Sequence, residues 1–520
     1  MKGQSKRRAR LVQVRSAVLD GIRARKVDVE ADLAEGGNDI LIVGLPDTMV
    51  RESRRRVRGA AARLGLHLAG RSILFNLAPA TLPKAGTSLD LPLAVAYAAV
   101  VGGIPLPRAG KHLIAGEIGL DGRVRGLEAA LPTAMLCRAL GDEGLILPRA
   151  SLDEARWVEG LKLIPVDHVS EAIAYLAGRS EGESVIGERP PRDERPVGVD
   201  LAEVKGQAAA VRALTVAVAG GHNLLMYGAP GSGKTMLARA LAGVLPRLTA
   251  EEALDVARIH ASVGLSRKGF FYAPPFRAPH HTASRQALVG GGIRPRPGEV
   301  TLAHRGVLFL DELPEFDKGA LESLRQPLED HEVTVARASL TRTFPADIMF
   351  VAAMNPCPCG WKGDAERPCR CTPREVARYT SRISGPLLDR IDLQVPVRRV
   401  PLTHLLELRG ADDSAAVRRS VDAARHRQAQ RNEALGFGRN ARLPGRALEK
   451  LCRLGPVRRR RLVEMLQNLG MSARAYVKVL RVARTIADLE GAEAVEDAHL
   501  FEALQYRGLD RDHPTATHLG

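Results

Sequence analysis

Between residues 11 and 176 the spacing of apolar positions alternates between the two-residue period of a strand and the longer period of a helix. The stretch 27–33 (VDVEADL) puts an apolar side chain on every second residue and predicts a half-buried strand. Residues 40–43 (ILIV) predict a strand buried on both faces, and 73–77, 113–116 and 145–147 predict further strands. Residues 50–64 predict an amphipathic helix with a basic outer face, while 89–101 and 127–140 predict buried helices. Together they make a mixed α/β domain over 1–177. Apolar periodicity then stops, and 178–198 is rich in Pro, Gly and charge, so an exposed linker is expected there.

A second α/β domain is expected over 199–400. Residues 223–227 (NLLMY) predict a short buried strand, 235–245 (TMLARALAGVL) the helix after it, and 306–310 (GVLFL) and 348–354 (IMFVAAM) two more buried strands. Residues 332–344 (EVTVARASLTRTF) read as strands on either side of Ala338 and Ser339 and predict a hairpin. From 401 to 508 the period is helical, with segments at 414–435, 444–454, 457–469, 472–489 and 495–506, and the polar tail 509–520 is expected to fray. A length of 520 residues agrees with several domains, since one core rarely grows that large.

The most specific chemistry lies between the first strand and helix of the second domain. Gly228, Ala229, Pro230, Gly231, Ser232, Gly233, Lys234 and Thr235 match the phosphate-loop pattern G-x-x-x-x-G-K-[ST]. Its glycines let backbone N–H groups turn toward a polyphosphate, and the following helix adds its positive end. Lys234 is expected to reach the β- and γ-phosphates of ATP, and the Thr235 hydroxyl to hold Mg²⁺. The strand 306–310 runs into Asp311 and Glu312, which places both at the ligand-binding edge of a parallel sheet. There Asp311 can hold Mg²⁺ and Glu312 can polarise the attacking water. Asn355 ends the strand 348–354, where it either positions that water or opens a turn before Pro356. Arg390 lies among apolar neighbours; it either pairs with Asp389 or Asp392, or is offered to a neighbouring subunit's nucleotide.

Cys357, Cys359, Cys369 and Cys371 form C-x-C-x₉-C-x-C in a Pro/Gly-rich loop directly after Asn355. Four thiolates so close suit a tetrahedral Zn²⁺, although the spacing is tighter than the common C-x₂₋₄-C; free reduced thiols are the alternative. Cys137 and Cys452 sit in apolar helical patterns as core residues, and six cysteines so placed do not make a secreted disulfide framework.

Charge changes the picture most. The net charge is +17, which favours a polyanionic partner such as DNA, unless it reflects only an arginine-rich source. No apolar run approaches a membrane span and no apolar stretch follows the basic N-terminus, so no membrane association and a cytoplasmic location are expected.

Several long blocks carry a family resemblance. VKGQAAAVRALTVAVAGGHNLLMYGAPGSGKTMLARAL, FRAPHHTASRQALVGGG, PGEVTLAHRGVLFLDELPEF and LESLRQPLEDHEV resemble the AAA+ ATPases, specifically the magnesium-chelatase-like YifB/ComM family, and the likeness covers nearly the whole chain. The resemblance implies a Walker A motif at 228–235, Walker B at Asp311 and Glu312, sensor 1 at Asn355, an arginine finger at Arg390 and sensor 2 at Arg474. Ser472 is placed to cap the helix bearing Arg474. It further implies an AAA+ core with a C-terminal helical lid, a homohexameric ring with active sites between subunits, and two pore-facing insertions. One insertion falls within 264–297; the other is the hairpin, where Arg337 and Arg342 would meet a phosphate backbone.

The first domain resembles a Lon-protease-like fold: Ser88, within 83–94 (PKAGTSLDLPLA), falls on the nucleophile, and 116–126 (GEIGLDGRVRG) leads toward the lysine. Leu131 stands where that lysine would fall, and no nearby Lys or His is read as a base for Ser88, so a fold without peptidase activity is expected. The family reading is a DNA motor, a helicase or branch-migration ATPase of natural transformation or recombination. It would act on single-stranded or branched DNA, with recombination proteins as further partners. The alternative is a protein-remodelling ATPase like that of magnesium chelatase.

Overall fold

The computed structural model describes residues 11–189, 198–265, 272–337, 340–364, 366–400 and 412–511. Two compact units result: Met1–Asp193 with Ala250–Phe271, and Glu194–Thr249 with Tyr272–Gly520. Assignment of Ala250–Phe271 to the first unit departs from the sequence reading, which runs the second domain unbroken from 199. The helix Ala250–Ala261 packs against the helix Ala130–Leu140, burying Ala253, Val256, Ala257 and Ile259. Among the described residues no helix is long and apolar enough to cross a membrane.

The first unit is built on one sheet. Its strands are β1 (Val12–Asp20), β2 (Arg23–Glu35), β3 (Ile40–Val43), β4 (Arg71–Ala78), β5 (His112–Ile114), β8 (Gly144–Pro148), β9 (Lys162–Val166) and β10 (Val185–Ile186), in the order β10-β9-β8-β5-β1-β2-β4-β3. A short ribbon pairs β6 (Glu117–Ile118) with β7 (Val124–Arg125). β1 and β2 form a long antiparallel hairpin that closes at Asp20↔Arg23, with Gly21 at φ 68° in the turn. The predicted strand 27–33 is the middle of β2, but 40–43 is not buried on both faces: β3 is the sheet edge, and Leu41 is 50% exposed. Part of the expected linker is also ordered, since β10 pairs antiparallel with β9; residues 190–197 lie outside the described residues.

The helix Thr48–Arg63 is capped by Asp47, whose carboxylate accepts from the Val50 amide at 2.8 Å. Val50, Ser53, Val57 and Ala60 keep the helical spacing and face the core, leaving Arg51, Arg54, Arg55 and Arg58 exposed on the outer face.

In the second unit β11 (Leu224–Tyr227), β12 (Phe276–Arg277), β13 (Val307–Leu310), β16 (Met349–Met354) and β17 (Leu393–Pro396) form an all-parallel sheet, ordered β12-β13-β16-β11-β17. β13 and β16 are buried at every position, as strands covered on both faces must be, which is why their sequences are continuous apolar runs. β14 (Glu332–Arg337) and β15 (Leu340–Pro345) make the predicted hairpin; Ala338 and Ser339 at its tip and the Arg337 side chain lie outside the described residues. The C-terminal helices Ser414–Asn432 and Ala473–Glu490 pack on Ala208–Gly220, so sheet and helices share one apolar core.

Charge is buried where these parts meet. Asp347, 8% exposed, accepts from Arg305 at 2.8 Å, from Arg439 at 3.3 Å and from Arg442. Burial alone would raise its pKa, but Arg439, Arg442 and Arg305 outweigh it and hold the carboxyl at about 2. A depressed carboxyl stabilises fully above its unfolded value and loses that contribution as pH falls through the folded one. Asp347→Asn should lower stability in urea at neutral pH by about 3 kcal/mol, the scale of a broken buried pair. The wild-type advantage should fade between about pH 4 and pH 2; an advantage constant across that window would contradict the ion cluster.

Candidate nucleotide site

Three loops leave the carboxyl ends of β11, β13 and β16, and strand order decides that they meet. β16 lies between β13 and β11, so the phosphate loop, the Asp311–Glu312 pair and Asn355 open into one cleft of ≈ 420 Å³. Lys234, Thr235, Asp311, Glu312 and Asn355 all line it. Gly228 is required by close approach, because a Cβ there would lie 2.1 Å from the Val397 carbonyl oxygen. Gly233 holds φ 95° as the residue before the helix Lys234–Val244, a conformation that favours glycine.

Lys234 is 9% exposed and its ammonium is fully engaged: it donates to the Gly228 carbonyl at 2.7 Å, the Ala229 carbonyl at 3.0 Å and Asn355 Oδ1 at 3.2 Å. Burial lowers its pKa, opposed by Asp311 and Glu312. Thr235 Oγ1 donates to Asp311 Oδ2 at 2.7 Å. The Ser232 hydroxyl is buried and makes no hydrogen bond among the described residues. A buried orphan hydroxyl inside a phosphate loop is what an absent polar ligand would satisfy.

Glu312 takes a left-handed backbone conformation (φ 52°, ψ 46°), which costs a non-glycine residue on the order of 1–2 kcal/mol. Its Oε2 lies 3.3 Å from His281 Nδ1. His281 follows β12 and lines a second recess of ≈ 280 Å³ that shares Thr235, Asp311 and Glu312 with the cleft. The sequence reading passed over His281 because nothing in its local pattern reveals a partner 31 positions later.

Arg390 and Arg474 are not brought into this cleft. Arg390 donates to the Pro386 carbonyl at 2.7 Å and pairs with Glu329, rather than with Asp389 or Asp392. Arg474, 74% exposed at its side chain, pairs at 3.1 Å with Asp389, the residue beside Arg390. Ser472 stands at the N-cap of Ala473–Glu490 but makes no side-chain capping bond, contrary to the sequence reading. Two missed residues anchor the Arg390 segment. Asn223 donates from Nδ2 to the Arg390 carbonyl at 2.7 Å and from its amide to Asp392 at 3.1 Å. Lys478 donates to the carbonyls of Asp389 and Ile391.

The four clustered cysteines converge: their sulfurs all lie within 4.8 Å of one another, and none is in a disulfide. In the first unit Ser88 Oγ donates to the Ala17 carbonyl at 3.0 Å, and Leu131 is buried in the helix Ala130–Leu140. The sequence reading overlooked Lys84, four residues before Ser88. Its amine is buried and donates to the Leu77 and Pro79 carbonyls, with a pKa lowered by burial.

A parallel sheet whose neighbouring strands end in a phosphate loop, an Asp-Glu pair and an asparagine defines an ATPase of the AAA+ class. Comparison with known proteins narrows this. Residues 29–151, 200–405 and 411–507 match three families described as subunit ChlI of Mg-chelatase, magnesium chelatase subunit ChlI, and its C-terminal part. The chain is 39% identical over 504 residues to the uncharacterized protein YifB of Salmonella typhimurium, covering 96% of this chain and 97% of the relative. It is also 39% identical over 498 residues to the competence protein ComM of Haemophilus influenzae, covering 94% and 96%. A shorter likeness, 30% over 162 residues, links 31% of the chain to 22% of the magnesium-chelatase 67 kDa subunit of Chlorobaculum parvum. The chain belongs to the YifB/ComM family of magnesium-chelatase-like AAA+ proteins.

Lys234→Ala should abolish ATP binding. Glu312→Gln should bind ATP with near-normal affinity while turnover falls at least ~100-fold, because neutralising phosphate charge and activating water are separate tasks. Turnover at the wild-type rate in Glu312→Gln would remove Glu312 as the base.

Proposed function

We propose that this protein is a homohexameric ATP-driven motor acting on single-stranded or branched DNA, a helicase or branch-migration enzyme of recombination or natural transformation, working in the cytoplasm beside recombination proteins. The observation that carries the DNA reading is exposed basic surface. On the helix Thr48–Arg63, Arg51, Arg54 and Arg55 are exposed, with Arg58 beside them, and a net charge of +17 gives the same sign to the whole chain. Arg342 on β15, two residues from the described end of the hairpin, adds a cation whose Nη1 donates to the Thr341 carbonyl at 2.9 Å. The near full-length likeness to a competence protein supports the same reading.

Catalysis follows from the cleft. Lys234 leaves its carbonyl partners for the phosphates, Asn355 and Glu312 position and deprotonate the attacking water, and Thr235 and Asp311, whose oxygens lie 2.7 Å from each other, would supply hard oxygen ligands suited to Mg²⁺. That ion neutralises phosphate charge when bound. Arg390 and Arg474, both outside their own cleft, are assigned to the nucleotide of the neighbouring subunit. The cysteine cluster is assigned to Zn²⁺. The first unit is read as a positioning domain without peptidase activity, since the Ser88 hydroxyl donates to the Ala17 carbonyl and Lys84 is committed to carbonyls. The part-length likeness to the chelatase subunit favours a second reading, a protein-remodelling ATPase that ignores DNA.

DNA binding should fall steeply with salt, as counterion release requires, and reversing Arg337 and Arg342 to Glu should reduce DNA-stimulated ATPase while basal turnover persists. Equal loss of both activities would place these residues in the fold instead, and DNA-independent turnover in the wild type would favour the remodelling reading. Arg390→Ala should retain ATP binding and lose ~10³-fold or more in turnover. Mixed with Lys234→Ala in verified mixed rings, it should regain activity, because some interfaces then pair an intact phosphate loop with an intact finger. An Arg390→Ala protein of normal activity would overturn the assignment.

A further inference from the structure

The cysteine loop does more than close on itself. Its sulfurs lie 3.4 Å apart for Cys357–Cys359 and 3.6 Å apart for both Cys357–Cys369 and Cys359–Cys369. Four thiolates about 2.3 Å from one tetrahedral ion stand about 3.8 Å apart, so the cluster is already near ligand geometry. The amides of Cys359 and Cys371 donate to the sulfurs of Cys371 and Cys369, each at 3.4 Å, as second-layer donors to a bound thiolate would. The segment is rich in Pro, Gly and charge, and Cys357 is the one fully buried side chain among its cysteines; its other contacts among the described residues include surface ones such as Arg367 over the Trp361 ring and the Arg399–Glu366 pair.

Both ends of this loop hold the nucleotide site. Cys357 is two residues beyond Asn355, whose Oδ1 accepts from Lys234 at 3.2 Å. Gly360, at φ 83°, is pressed on the phosphate loop: a Cβ there would lie 2.6 Å from Pro230 Cδ. On the other side, Cys371 directly precedes Thr372, which caps the helix Pro373–Thr380 through a reciprocal capping box with Glu375. That helix carries Tyr379, which is buried and takes a hydrogen bond from the Asn355 backbone; burial pushes its hydroxyl up to about 12. The chain then continues to Ser384, which caps the short turn leading to Arg390.

We propose that the four-cysteine site is a metal clamp on the ATPase centre: a bound zinc ion fixes the loop against Pro230 and so sets the position of Asn355 and the phosphate loop, making nucleotide affinity depend on metal occupancy. The proposal rests on reading the cluster as a zinc site. Physically, the metal supplies the ordering free energy that this apolar-poor loop cannot obtain from its own contacts, and the nucleotide binds a loop already ordered. The coupling is reciprocal, so bound nucleotide should also slow loss of the metal.

The experiment uses the full-length protein and three readouts: zinc by elemental analysis, affinity for a fluorescent ATP analogue, and far-UV circular dichroism. Protein purified without chelator should hold one zinc per chain. Stripping the zinc under reducing conditions should weaken nucleotide binding on the order of tenfold, the scale of ordinary allosteric coupling, and adding zinc back should restore it where magnesium does not. Gly360→Ala should keep its zinc yet lose affinity, because the added methyl displaces Pro230. Should the stripped protein lose its fold, affinity is compared across folded preparations of graded zinc content, and affinity that does not follow the zinc content overturns the clamp. Zinc in the protein as purified, with affinity unchanged both after stripping and in Gly360→Ala, overturns the clamp and leaves the zinc site standing. Protein that neither contains nor takes up zinc overturns the zinc reading itself.

Discussion

The amine of Lys234 is the point on which the second unit turns. A buried ammonium must be satisfied, and here it is satisfied by two carbonyls of its own loop and by Asn355 from a neighbouring strand. The contact exists only because β11 and β16 are parallel neighbours in register, so that their carboxyl ends arrive side by side. A polyphosphate entering the cleft therefore exchanges partners with a charge that is already desolvated and aimed. That exchange is cheaper than drawing a solvated lysine in from the surface, and it passes through Asn355, so the state of β16 is felt in the phosphate loop.

The same sheet ties the cleft to the residues that lie outside it. Asn223, at the start of β11, holds the Arg390 carbonyl and Asp392, and its Oδ1 accepts from the Phe350 amide at 2.9 Å. Lys478, on the helix that also carries Arg474, grips the carbonyls on either side of Arg390. Arg390, Arg474 and the strand below the phosphate loop thus belong to one hydrogen-bonded body. The lid helices share its apolar core.

How much of this was legible in the chain follows from how local each signal is. The positions of the phosphate loop, the Asp311–Glu312 pair and Asn355 could be read because buried parallel strands are continuous apolar runs, and these residues stand where each run ends. The hairpin and the C-terminal helices were equally plain from their periods. Edge position was not: 40–43 reads as apolar on every residue, yet only the sheet order exposes Leu41. Nor could the pattern show that Ala250–Ala261 packs with the first unit, or that two residues of the expected linker extend its sheet, since both depend on partners far along the chain. His281, Asn223 and Lys478 escaped for the same reason, and Lys84 was passed over although it lies beside Ser88.

In the proposed ring each nucleotide site is finished by a second subunit, and a structure of the Glu312→Gln protein assembled with ATP is the sharpest test. Lys234 should have left the Gly228 and Ala229 carbonyls for the phosphates, while Arg390 of the neighbouring subunit should have left Glu329 and lie within hydrogen-bond reach of the γ-phosphate. An ATP-bound protein whose Arg390 remains on Glu329 in every subunit, with no cation entering the cleft from a neighbour, would contradict it.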